Sequence, residues 1–75
     1  MKELLNEIKA QEDCTKYTSW QGKTCYRTSG SFNWYNLKCY EYGLEPKWIG
    51  DFHYSAKGKG FTLEYCEHDI IYAID

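Results

Sequence analysis

The stretch FNWYNLKCYEYG, residues 32–43, decides the fold because it satisfies two patterns at once. As a strand it is rich in residues that suit a pleated surface: Phe32, Trp34, Tyr35, Tyr40 and Tyr42. Alternation then puts Tyr35, Leu37 and Cys39 on one face. As a helix it has a start and a stop. Ser31 can cap it, Gly43 can end it, and Pro46 follows. Phe32, Tyr35, Cys39 and Tyr42 would form its apolar stripe. Propensity favours a strand over 32–42, with a helix as the alternative.

The flanking segments are less divided. Residues 2–12 read as a helix, with Met1, Leu4, Leu5 and Ile8 at three- and four-residue spacing. Glu3 and Glu7 near its start suit the helix dipole. So short a stripe must pack on something else to persist. From Thr15 onward β-branched and aromatic residues dominate. Thr15–Trp20 and Lys23–Thr28 read as a hairpin turning at Gln21–Gly22, and Ser29–Ser31 as a loop. In the final third, Trp48, Phe52 and Tyr54 alternate with Ile49, Asp51 and His53 as one strand. After a turn at SAKGKG (55–60), Phe61, Leu63 and Tyr65 form a second strand, and Ile70, Tyr72 and Ile74 a third. The pattern predicts one α+β domain over residues 1–75. Its N-terminal helix packs on a small curved antiparallel sheet of four to five strands.

Seventy-five residues build a thin core, since a domain this small buries only about 60% of its unfolded surface. Eight Tyr, three Trp and three Phe exceed what such a core needs, so some rings must reach the surface. The net charge is −2, and nine basic residues are scattered along the chain. That disfavours direct nucleic-acid binding, which leaves a basic excess. Eleven acids against nine bases are equally too balanced for a nucleic-acid mimic. No run approaches a membrane span of about 18 apolar residues. The segment MKELLNEIKAQED (1–13) lacks the apolar core of a secretory signal. These features point to a cytoplasmic product in which Cys14, Cys25, Cys39 and Cys66 stay reduced and serve as apolar filler.

The chemistry-bearing residues carry bland readings. Structural zinc sites pair ligands about two to four residues apart, whereas these cysteines are separated by eleven, fourteen and twenty-seven positions. Only Cys66 and His68 are close. A thiol nucleophile wants an electropositive setting, and Glu64, Glu67 and Asp69 surround Cys66. AKGKG (56–60) is followed by a strand rather than a helix, so it is a hairpin tip and not a phosphate loop. CEHD (66–69) sits where two strands must join and reads as their bend. No catalytic residue, cofactor or metal site is expected.

The aromatic content remains. Exposed Tyr and Trp favour protein contact, and acids beside them would address a basic partner. The expected contact residues are Trp34, Tyr40, Glu41, Tyr42, Glu45, Trp48, Asp51, Glu67 and Asp69. A homodimer hiding an aromatic face is a further arrangement. In its overall style, short, without catalytic signatures and rich in Tyr, Trp and charge, the chain is similar to small accessory proteins of phages and other mobile elements, anti-CRISPR proteins among them. The resemblance covers style and no motif. It implies a stoichiometric inhibitor of a host defence nuclease complex of the CRISPR type, at work in the host cytoplasm, and it carries over no residue roles. The alternatives are an aromatic sheet that stacks single-stranded nucleic acid, and a small metal or thiol protein.

Overall fold

The computed structural model describes residues 2–75. They form α1 (Lys2–Lys9), β1 (Thr15–Thr18), β2 (Thr24–Ser29), α2 (Phe32–Glu41), β3 (Lys47–Gly50), β4 (His53–Lys57), β5 (Phe61–Cys66) and β6 (Asp69–Ile74). Met1, counted in the first helix stripe, lies outside the described residues. The α+β class holds, with two corrections: a second helix joins the first, and the sheet has six strands rather than four to five.

The first correction concerns the segment 32–42, which is not strand but helix over Phe32–Glu41, with Tyr42 as its C-cap. Both ends are secured by the signals that argued for the helix. Ser31 is extended, and its hydroxyl accepts the Trp34 N–H at 3.2 Å. At the other end Gly43 has φ +67°. Its N–H donates to the Tyr40 carbonyl at 3.3 Å, and the Leu44 N–H donates to the Cys39 carbonyl at 2.7 Å. These two bonds are a Schellman closure, which a left-handed residue permits. Tyr35 and Cys39 are buried along the inner stripe, flanked by half-buried Phe32 and Tyr42. Two caps and a buried stripe outweigh a weak propensity for strand.

The extra strand comes from the run 48–54. It is not one strand but a hairpin that reverses at Asp51–Phe52. Trp48 pairs with Tyr54, Gly50 pairs with His53, and the register shifts between Trp48 and Gly50. That bulge absorbs the turn without losing the outer pairing.

All pairs are antiparallel, in the spatial order β1-β2-β6-β5-β4-β3. Chain order explains it. The β1–β2 hairpin forms one edge, α2 carries the chain across to the other edge, and β3 to β6 meander back to pair with β2. Leu63 pairs with Tyr72 and Tyr65 with Ile70, so these side chains share one face. Leu4 and Ile8 of α1, and Tyr35 and Cys39 of α2, pack into one core with them and with Ala56 and Phe61. The Tyr35 hydroxyl donates to the Leu63 carbonyl at 2.8 Å and pins α2 to the central strand. The opposite face carries Cys25, Arg27, His53, Glu64, Cys66, Asp69, Ile71 and Ala73. CEHD is the β5–β6 bend as read: Cys66 pairs with Asp69, leaving Glu67 and His68 as a two-residue loop. Both have positive φ, 46° and 72°, as a hairpin turn matched to strand twist requires.

Candidate functional site

Two turns meet at one end of the sheet. The Glu67 N–H donates to the Phe52 carbonyl at 3.1 Å and joins the β5–β6 turn to the β3–β4 turn. The Gly30 N–H donates to the His68 carbonyl at 2.8 Å, bringing in the start of α2. A Cβ at Gly30 would meet the end of the buried Ile70 side chain, which would have to shift to admit it. Phe52, Glu67 and His68 are the non-glycine residues with positive φ among those described, and all three lie here. Backbone in this region is strained and persists only when its surroundings impose it.

Between α2 and the β3–β4 hairpin the same end opens a cleft of about 370 Å³, lined by Phe32, Trp48, Asp51, Phe52, Tyr54 and Tyr65. Tyr65 is only 4% exposed and belongs to the core. Phe32 ties the core to the cleft, its ring centroid 4.8 Å from Tyr54 and 5.5 Å from Tyr65 in an edge-on arrangement. The rim is open: Trp48 is 65% exposed and Phe52 71%. Asp51 is the one charged residue of the lining, and it makes no ion pair among the described residues.

The expected contact residues are therefore dispersed. Trp48 and Asp51 share the cleft, and Glu67 stands in the adjoining turn. Asp69 is on the opposite face, 3.8 Å from Arg27. Glu45 lines a separate groove with Lys47, Ile49, Ser55 and Lys57. Trp34, Glu41 and Tyr42 take part in fastening the helices. The Lys38 ammonium lies 5.5 Å from the Trp34 ring centre and pairs with Glu7 of α1 at 2.6 Å and Glu41 at 2.9 Å. The Tyr42 hydroxyl donates to Glu7 at 2.5 Å. The bonds from Lys38 and Tyr42 hold the Glu7 carboxyl below its ordinary range. The Glu7 carboxylate in turn pushes the Tyr42 phenol up to about 12. Tyr40 is 84% exposed on the outer side of α2, away from the cleft.

Phe52 and Phe32, which the cleft depends on, were missed by sequence reasoning. Phe52 was read as an ordinary member of an alternating strand. The neighbouring Gly50–Asp51 pair is the signal that a turn intervenes.

The sheet face opposite the helices offers a second arrangement. His53 stands directly across from Cys66, and its Nε2 is 3.0 Å from Glu64. A thiol, an imidazole and an orienting carboxylate are the members of a nucleophilic site. Among the described residues, however, no hydrogen bond joins Cys66 to His53. Nor does any group of three His, Cys, Asp or Glu side chains stand where it could hold a metal ion. All four cysteines are free. Burial raises the Cys14 and Cys39 thiols above their ordinary range, which suits packing rather than reactivity.

No protein-family model, curated protein or solved structure matches this chain. Fold and site therefore rest on their own geometry. No described helix is long and apolar enough to cross a membrane.

Proposed function

We propose that the chain is a non-enzymatic protein-binding module that docks through the turn end of its sheet. It acts there as a stoichiometric inhibitor of a defence nuclease complex of the CRISPR type. The observation that carries the docking reading is the pairing of exposed Trp48 and Phe52 around the Asp51 carboxylate, which has no ion partner among the described residues. Large rings at the centre of a contact supply most of its binding energy, and a ring of polar groups excludes water around them. The support beneath is rigid, because Phe32 and Tyr65 link the cleft to the core and the Glu67–Phe52 bond locks the two turns together. A preorganised surface loses little entropy on binding. Asp51 and Glu67 suit a partner with a basic, nucleic-acid-handling channel. The inhibitor reading adds the likeness of the chain to mobile-element accessory proteins.

Titration of the protein into DNA-cleavage reactions of a panel of purified CRISPR-type nuclease complexes tests it. Activity of one complex should fall linearly to an equivalence point near one chain per complex, and the double variant Trp48→Ala, Phe52→Ala should restore cleavage. Full cleavage by every complex at saturating protein overturns the inhibitor reading. Undiminished inhibition by the double variant removes the docking surface.

A further inference from the structure

The aromatic cleft has a chemical preference that follows from its lining. Five of its six residues are aromatic, the sixth is Asp51, and no lysine or arginine lines it. The faces of aromatic rings carry partial negative charge and attract cations lying over them. The molecule already uses that attraction elsewhere: Lys9 lies 5.0 Å from the Tyr26 ring centre and Lys38 5.5 Å from that of Trp34. Among the described residues, no lysine of the chain itself lies over the rings of the cleft.

We propose that this cleft receives an organic cation, the ammonium or guanidinium head of a lysine or arginine side chain inserted by a protein partner. The proposal rests on the docking surface described above and names what that surface recognises. Asp51 decides between a cation and a neutral apolar group. Asp51 is exposed at the rim, so it attracts a cation through its charge and offers a neutral apolar group no such gain. A cation covers the rings and pairs with the carboxylate at once. The volume of about 370 Å³ is ample for one such side chain. Trp48 projects from an edge strand beside Tyr54, its register partner, and Phe52 is set by a positive φ of 55°. The backbone that carries these two rim rings is thus set before any ligand arrives.

The test titrates the full chain, labelled for amide and indole NMR signals, with N-acetyl-arginine amide, choline and 3,3-dimethylbutanol, the neutral carbon isostere of choline. The two cations should shift the Trp48 indole and Phe52 amide signals at millimolar concentration. The neutral isostere should bind about fivefold or more weakly, the scale of a cation–ring contact. Asp51→Asn should weaken both cations about threefold or more, and added salt should act in the same direction. Trp48→Ala should abolish the response. Because Trp48 is mostly exposed, this variant should keep its amide spectrum elsewhere. Equal binding of choline and its isostere, or no shift at Trp48 with 100-fold higher cation, overturns the proposal. If the nuclease complex is inhibited while cations fail to bind, the cation assignment falls alone. If cations bind and no complex is inhibited, the inhibitor reading falls alone.

Discussion

Tyr35, Tyr65, Tyr72 and Phe61 lie between 0% and 6% exposed, while Trp48 and Phe52 lie at 65% and 71%. Both sets are large rings on or beside the same sheet, yet their fates are opposite. The difference is position across the sheet. Tyr65, Tyr72 and Phe61 stand on β5 and β6, the central strands, under the two helices. Trp48 is on β3, the edge strand, with Phe52 in the turn that follows it. In so small a domain, a ring is buried or presented according to which strand carries it. Tyr65 and Phe32 connect the two sets, so the presented rings stand on the buried ones.

The sharpest way to break this comparison is to truncate one ring from each set. Tyr35→Ala removes a fully buried ring and its hydrogen bond to Leu63. Denaturant unfolding should show a loss of about 3–5 kcal/mol, the usual cost of emptying an aromatic site. Tyr35→Phe, which keeps the ring, should lose only about 1 kcal/mol. Trp48→Ala should fall within about 0.5 kcal/mol of the parent, as surface changes do. Comparable losses from Tyr35→Ala and Trp48→Ala would erase the distinction between core and presented rings.

The helix that buries Tyr35 depends on its first cap. Ser31→Ala should cost about 1 kcal/mol in the same assay, because the Trp34 N–H loses its acceptor. Ser31→Asp should restore most of it. A null effect would mean that packing of Tyr35 and Cys39 alone holds residues 32–41 helical.

How far the fold was legible follows from these residues. β5 alternates plainly, because it buries one face only: Phe61, Leu63 and Tyr65 against Thr62, Glu64 and Cys66. β6 follows with Ile70 and Tyr72 buried on the same face, although Ala73 on the other face is buried as well. Residues 32–42 fit both periods, and propensity pointed the wrong way. Ser31, Gly43 and Pro46 carried the true information, since end signals depend on single backbone geometries and not on averages. The β3–β4 turn was hidden because Phe52 takes a positive φ, which a Phe rarely does. The cleft was legible only in its parts. Trp48 and Asp51 stood out as types, but Phe32 reaches the site across sixteen residues of chain and needs the tertiary fold. Trp34 and Tyr42 look like contact residues in sequence, yet both are drawn inward by their links to the Glu7–Lys38 pair.

A smaller effect should appear with pH at the junction of α1 and β1. Asp13 accepts hydrogen bonds from the Ser29 hydroxyl, the Thr28 hydroxyl and the Ser29 N–H. These hold its carboxyl down to about 2 from an ordinary 3.8. A carboxyl depressed by folding stabilises above its unfolded value, and the contribution fades as pH falls from about 4 towards 2. Thermal melts across that window should fall more steeply for the parent than for Asp13→Asn. Parallel curves would show that these three bonds survive protonation or contribute nothing.

One change is expected to be a gain. His68 holds φ 72° in a loop position where glycine is at ease. Its side chain offers little in return, because the contact of Nδ1 with the Tyr65 hydroxyl is long, 3.4 Å. Strain therefore outweighs contact, and His68→Gly should stabilise the protein by up to about 1 kcal/mol, a rise in Tm of several degrees for a domain of this size. The Gly30 N–H to His68 carbonyl bond is made by backbone and should persist. A lower Tm in the variant would show the opposite balance, with the imidazole bracing Tyr65 at the floor of the cleft. The presented rings would then depend on the turn beside them as well as on the core beneath.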